Sequence, residues 1–384
     1  MISRNTFRVF ILFLLIILFT YNCKPKTKEE IKKSIEERFI ETVKSNQYIP
    51  SGNLLLHSNS LGIHWKYAQS NQKPISVDQP FHIASVGKMF TGVLIFQLIQ
   101  AGKFTLQDKV HKYLSKEILD GLFVYNGKDY SEEVTIEQLL SHTSGIADYA
   151  NSLMLTLLKE PEHFWTPLEI LDYTRKNQKA VGKPNEKFYY SDTGYILLGL
   201  LIEKITGKSF EENLSNQIFK PLGMSNTYLH LRSLPESKTN LEISKIIFLK
   251  QDVTNYKSLS LDWAGGGAIS NLEDLLKFSQ ALVEGKLIPK EIYESMKGNN
   301  KFHEGIYYGK GLMKVVLGDI FFLMKGTPEL YGHSGILATQ VFYCPEYDLH
   351  IILNLSSNEA LEDSFKLLFF ILKDIKEIQT LTNS

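Results

Sequence analysis

The stretch Phe81-His82-Ile83-Ala84-Ser85-Val86-Gly87-Lys88-Met89-Phe90 runs from a short strand-like segment straight into a helix. The helix is set by its period. Met89, Val93, Leu94, Phe96 and Leu98 supply the apolar positions from Ser85 to Gln100, and Ala101-Gly102 ends it. A serine hydroxyl is a poor nucleophile at neutral pH. It needs a base beside it and donors for the oxyanion that its attack creates. Residues three apart on a helix share a face, so Lys88 reaches the Ser85 hydroxyl, and a helix N-terminus favours negative charge there. Ser-x-x-Lys alone is a weak signal, because Ser70-Asn71-Gln72-Lys73 repeats it. Ser70 lies in a polar turn before Pro74, with no helix to align the pair. On local grounds alone, Ser85 reads first as an ordinary N-cap.

Outward from this helix, the two ends of the chain read alike. Ile31, Ile35, Phe39, Ile40 and Val43 fall on one helical face, and Pro50-Ser51-Gly52 stops that helix. Asn53 to His57 and Gly62 to Ala68 form a hairpin about the turn Ser58-Asn59-Ser60. Strand signals return at Tyr307 to Val316, Ile320 to Lys325, Leu337 to Tyr343 and Leu349 to Leu355, and an amphipathic helix from Glu362 to Ile375 follows. Between them, from about 105 to 300, the chain is mostly helical, including Tyr195 to Ile205 and Leu272 to Glu284. The pattern predicts an α+β fold over 29–378. An antiparallel sheet is formed from both chain ends, N- and C-terminal helices flank it, and a large helical insertion interrupts it. The chemistry is expected where sheet and insertion meet.

The 384 residues, 43% of them hydrophobic, can bury a large core, and the 42 basic residues balance the 42 acidic ones. No net field steers the molecule to nucleic acid, so partners must be read from local sites. Arg4 and Arg8 precede the apolar run from Val9 to Phe19, the anatomy of a signal peptide over 1–23. The run falls short of the roughly 20 apolar residues of a membrane span, which makes an uncleaved anchor the other reading. Cys23 stands where a bacterial lipoprotein signal places its lipidated cysteine, and 24–28 forms a charged tether. Tyr21 and Asn22 occupy positions that usually hold small residues, so an incidental cysteine is the alternative. Export and a membrane-tethered lipoprotein facing the periplasm or cell exterior are expected. Cys344 is the other cysteine; it sits in an apolar context that reads as packing. His57, His64, His111, His142, His163, His230 and His350 show no metal-ligand spacing, and no metal or other cofactor is expected.

Longer segments carry a resemblance. They are Ile83 to Lys88, Leu139-Leu140-Ser141-His142-Thr143-Ser144-Gly145-Ile146, Tyr189-Tyr190-Ser191-Asp192-Thr193-Gly194-Tyr195, Pro221-Leu222-Gly223-Met224, Ala264-Gly265-Gly266-Gly267 and Gly332-His333-Ser334-Gly335. In order and spacing the chain resembles the serine beta-lactamase and penicillin-binding-protein family, in particular its class C-like esterase and D-peptidase branch. The resemblance implies the transpeptidase-like fold, with Ser85 as nucleophile and Lys88 as its partner. It also implies that Tyr190, from the family's Tyr-x-Asn motif, exchanges protons with Ser85 and the leaving group. Asp192 stands where asparagine is usual. A carboxylate only accepts hydrogen bonds and carries charge, so Asp192 is expected to hold Lys88 protonated and to shift the base role to Tyr190, its pKa lowered by the Lys88 charge. His333-Ser334-Gly335 matches the family's third motif, with histidine for lysine. The resemblance places His333, Ser334 and Gly335 at the substrate and implies that the N–H groups of Ser85 and Ile336 form the oxyanion hole. The lysine it replaces is the cation that holds a substrate carboxylate. Two further lookalikes, Tyr149-Ala150-Asn151 and His303-Glu304-Gly305, lack the flanking pattern.

The function implied is acyl-enzyme hydrolysis of an ester, amide or D-peptide bond, as in an esterase or a D-alanyl-D-alanine carboxypeptidase, with peptidoglycan fragments among the substrates considered. A class C-like beta-lactamase and a non-catalytic penicillin-binding sensor or scaffold are the alternatives.

Overall fold

A computed structural model describes residues 26–320 and 325–382. The signal segment and Cys23 lie outside the described residues. Helix α1, Lys28–Ser45, opens on a capping box in which Thr27 and Glu30 satisfy each other's backbone N–H groups. It buries Ile31, Ile35, Phe39 and Val43 at the spacing of one helical face.

Strands β1 (Ser51–Ser58) and β2 (Ile63–Ser70) are followed, much later, by β3 (Asn300–His303), β4 (Ile306–Tyr308), β5 (Met313–Val315), β6 (Leu330–Gly335), β7 (Thr339–Cys344) and β8 (Leu349–Asn354). They make one antiparallel sheet in the order β3-β4-β5-β6-β7-β8-β1-β2. The chain ends meet where β1 pairs with β8, Leu55 opposite Ile352. Both faces of the sheet are covered, so Leu54-Leu55-Leu56 is apolar throughout instead of alternating. Leu54 and Leu56 join the core under α1 and the C-terminal helix, whereas Leu55 joins the core of the helical insertion.

Helix α2 (Lys88–Gln100) packs with α3 (Asp192–Thr206) of the insertion, which also holds α4 (Leu272–Val283), and α5, Leu361–Thr382, lies beside α1. Every residue of α2 from Lys88 to Phe96 is buried, the mark of a helix apolar all round that runs through a core. A small sheet of Phe81–His82, Ala268–Ser270 and Tyr228–Leu229 joins the insertion to the start of α2.

The sequence expectations hold in class, with local differences. Ser85 lies in a 3₁₀ turn, Ala84–Gly87, and the α-helix begins only at Lys88. Tyr307 to Val316 is a hairpin, because left-handed Gly311 lies in the turn between β4 and β5. Ile320 ends a short helix, Leu317–Ile320, where a strand was expected; 321–324 lie outside the described residues. The strand expected from Leu337 begins at Thr339, after a turn in which Ala338 is left-handed. Among the described residues, no helix is long and apolar enough to cross a membrane.

Candidate active site

The turn that carries Ser85 is held from three sides. Ala84 has a left-handed φ of 47°, costly for a residue with a side chain, and its N–H donates to His82 Nδ1 at 3.1 Å. From the second side, Gly266 packs so close that a Cβ there would meet the Ala84 carbonyl oxygen at 2.3 Å. From the third, a Cβ on Gly335 of β6 would meet the Ile83 oxygen at 2.5 Å. Two side chains of α2 fasten the Gly266 segment: Thr91 Oγ1 donates to the Ala264 carbonyl at 2.7 Å and Lys88 Nζ to that of Gly265 at 2.7 Å. The end of the interior sheet strand β6 and the helical part of the chain thus meet at Ser85, which is only partly buried.

Lys88 is fully buried. Its Nζ donates to Ser85 Oγ at 3.0 Å and forms a close ion pair with Asp192 Oδ1. Burial alone would discharge it, but the carboxylate of Asp192, with help from Tyr190 and Asp262, holds its pKa above the ordinary lysine value. Asp192 is the first residue of α3, and its N–H donates to Asp148 Oδ1 at 3.0 Å.

The Tyr190 ring lies 5.1 Å from Lys88 Nζ and stacks on Phe302 at 5.0 Å. The lowered Tyr190 pKa expected from the sequence is not found. Burial raises it, the Lys88 charge and hydrogen bonding with Lys88 and Ser85 draw it down, Asp192 pushes it up again, and it ends above the usual phenol range.

His333 is placed differently from the substrate-facing position expected of it. It is fully buried, with Nε2 3.0 Å from Tyr308 Oη and Nδ1 2.8 Å from the Ser334 carbonyl. Burial and the Lys88 charge bring its pKa down to about 3, so it is neutral. Ser334 and Gly335 are also buried, whereas Ile336 is 41% exposed at the turn after β6. His142 accepts from the Ser191 N–H at 3.1 Å and packs on Tyr190 at 4.2 Å, which makes it a fixed wall of the site.

The structure adds groups that the sequence reading missed. Asp148 and Asp262 are carboxyl groups pushed up to about 7, chiefly by burial, with Asp192 adding to the rise and Lys88 opposing it. Tyr308 and Tyr195 are buried, with hydroxyls 3.3 Å apart, and link His333 to the Leu140 carbonyl. Asp148 closely follows the Leu139 to Ile146 segment and Asp262 shortly precedes Ala264-Gly265-Gly266, so proximity to those segments was the available signal. The lookalikes fall elsewhere. Ser70 Oγ donates to the Pro50 carbonyl, Lys73 pairs with Glu242, Tyr149 Oη donates to the Leu261 carbonyl, and His303 is exposed. Cys344 is buried at the end of β7 and its thiol is pushed up to about 12 by burial, in keeping with packing. Among the described residues no cluster of side chains suits a metal ion.

This architecture, with Ser-x-x-Lys at the head of a buried helix facing a sheet strand, defines the class of active-site-serine hydrolases. The Beta-lactamase family model matches residues 57–373, and the chain belongs to that family of serine hydrolases. It is 29% identical to penicillin-binding protein 4* of Bacillus subtilis over 303 residues, 74% of this chain and 61% of the relative. It is 32% identical to protein flp of Staphylococcus aureus over 197 residues, 50% of this chain and 37% of that one. The chain therefore spans about three-fifths or less of these relatives' length. Among solved structures, D-amino acid amidase from Ochrobactrum anthropi SV3 superposes with a TM-score of 0.76 at 23% identity, covering 91% of this chain and 99% of that one. The penicillin-binding protein homologue from Pyrococcus abyssi superposes at 0.67 with 25% identity, covering 85% and 73%.

Proposed function

We propose that the chain hydrolyses an ester, amide or D-peptide bond through an acyl-enzyme on Ser85. One observation carries this reading: the Oγ of the partly exposed Ser85 stands 3.0 Å from a buried ammonium that Asp192 keeps charged. Lys88 acts as a fixed cation that lowers the energy of negative charge on Oγ. Tyr190, held protonated, relays. As Oγ attacks the carbonyl carbon, Tyr190 takes the serine proton and passes its own to the leaving group. No resting phenolate is needed. The N–H groups of Ser85 and Ile336 receive the oxyanion, and water then releases the acyl group.

Support for an amide or D-peptide substrate comes from the likeness to D-amino acid amidase and to penicillin-binding proteins. The burial and neutrality of His333 favour an esterase or amidase over a beta-lactamase, since His333 offers no cation to a substrate carboxylate. The test is labelling with a fluorophosphonate, followed by a panel of short esters, amino-acid amides and D-Ala-D-Ala peptides against wild type and Ser85→Ala. An adduct on Ser85 and Ser85-dependent turnover are expected; failure of the reagent to modify Ser85 would sink the proposal. Export with tethering through Cys23 is proposed from the sequence of 1–28 alone. A Cys23→Ala protein that still partitions wholly with membranes would remove the case for the acyl anchor.

A further inference from the structure

The two oxygens of Asp192 have different fates. Oδ1 is buried against Lys88. Oδ2 makes no hydrogen bond among the described residues and, unlike Oδ1, is not among the buried unpartnered atoms, so it shares in the 11% exposure that the side chain keeps. An unpartnered carboxylate oxygen at the rim of a largely buried site is an acceptor waiting for a donor. Its position relative to the nucleophile is fixed, because Lys88 Nζ bridges Ser85 Oγ and Asp192 Oδ1. The carboxylate therefore stands within about two hydrogen-bond lengths, roughly 6 Å, of the attacking oxygen. A donor attached one carbon from the scissile carbonyl reaches that far. The rest of the site contributes no competing cation. Among the described residues Lys88 is the lysine whose charge acts on Tyr190, His142, His333, Asp148 and Asp262, His333 being neutral, and Asp192 already matches that charge.

We propose that Asp192 is the specificity-determining residue of the site and selects acyl groups bearing a free ammonium on the carbon next to the scissile carbonyl: amino-acid amides and esters, or the amino-terminal residue of a short peptide. An asparagine at this position can donate to a carbonyl on the acyl side; an aspartate repels that carbonyl and binds an N–H. The inference rests on Ser85 being the nucleophile of a hydrolase, as proposed above.

The test measures protection of Ser85 from a fluorophosphonate, which requires binding but no turnover. The protectants are phenylalaninamide of both hands, its N-acetyl derivative and the 2-hydroxy analogue, which keeps the shape and loses the charge. For at least one hand, the free amine is expected to protect wild type at concentrations on the order of ten- to a hundredfold lower than the other two, the range of a hydrogen bond to a charged group. In Asp192→Asn the three should converge. The ratio is read within each protein, so a general loss of Lys88 pairing in the variant cancels. If the hydroxy or acetyl compound protects wild type as well as the amine, or if Asp192→Asn keeps the ratio, the assignment is overturned. The wild-type arm decides even where the variant fails to fold. A chain that labels at Ser85 without amine preference refutes this inference alone, whereas one that never labels refutes the hydrolase reading and this inference together.

Discussion

Replacing Gly266 by alanine tests whether the Ser85 turn is held by backbone contact. The added Cβ would stand 2.3 Å from the Ala84 oxygen, 2.4 Å from the Ala84 carbonyl carbon and 2.8 Å from the Ser85 nitrogen. All three are backbone atoms, so no side chain can swing aside; relief requires the two segments to part by about 1 Å to reach ordinary packing distance. Ala84 is already left-handed, and Gly335 presses on the Ile83–Ala84 side of the turn, so the turn has little room to retreat. A shift of that size moves the Ser85 N–H and Oγ together. Misplacement by about 1 Å costs on the order of a hundredfold in rate, or about 2.7 kcal/mol, with a further 1–3 kcal/mol or so in stability from overpacking. Gly265→Ala is the contrasting variant, because its Cβ meets side-chain atoms instead, Asp192 Oδ1 at 3.2 Å and Lys88 Nζ at 3.6 Å, and so perturbs the ion pair but not the turn. The assay is kcat/KM on an activated ester beside urea unfolding of both variants. A Gly266→Ala enzyme within threefold of wild type would refute the claim that backbone contact holds the turn.

Lys88→Met leaves Asp192 without its cation next to Asp148 and Asp262, and should cost about 3–5 kcal/mol in urea unfolding as well as all turnover. Tyr308→Phe removes the hydroxyl 3.0 Å from His333 Nε2 and should lower stability by about 1–3 kcal/mol, with the loss seen as an earlier urea midpoint at unchanged slope. His333 has a folded pKa of about 3, below its unfolded value of about 6.5, so the unfolded chain takes up the proton first. Its contribution is complete above pH 6.5 and fades as pH falls toward 3, by about 1.4 kcal/mol per unit. His333→Gln should therefore lose about 2 kcal/mol less than wild type between pH 6 and 4.5 in urea titrations; equal slopes would refute this.

The fold was legible because its signals are local and long. The five apolar residues called on one face of α1 are four buried and one partly buried in the structure, and the strand runs at both ends pair as the antiparallel sheet requires. Ser85, Lys88 and Tyr190 were legible as motifs, and the structure brings them to one place. What sequence could not supply is the balance of opposing terms at a single atom. Lys88 was rightly expected to pull on Tyr190, but burial, which depends on residues far along the chain such as Phe302 and Tyr308, decides the direction. His333 shows the same limit. Its motif specifies a strand residue near Ser85, yet whether its ring faces substrate or core is settled by the partner strands and by Tyr308 Oη. Asp148 and Asp262 lie outside the motif segments, and the packing of α3 against the Gly265 segment helps gather them around Lys88.

Two substitutions relative to the family pattern act on the same quantity, the charge offered to substrate. Histidine in place of lysine removes one cation, and burial keeps that histidine neutral. Aspartate in place of asparagine then cancels the cation that remains. A site with two lysines and an amide attracts anions; this one, with Lys88 paired to Asp192, does not. Removing the Asp192 charge should therefore shift anionic and cationic ligands in opposite directions, which general damage to Lys88 cannot do. At about 6 Å and an effective dielectric near 20, one charge on another is worth about 3 kcal/mol, and exposure of Oδ2 brings this to about 1–3 kcal/mol. Relative to a neutral ester, Asp192→Asn should react with benzylpenicillin about ten- to a hundredfold faster, measured as second-order labelling of Ser85, while its relative rate with an amino-acid ester falls. A variant in which both ratios move the same way would mean that Asp192 acts only by fixing Lys88, and that the charge seen by substrate is set elsewhere.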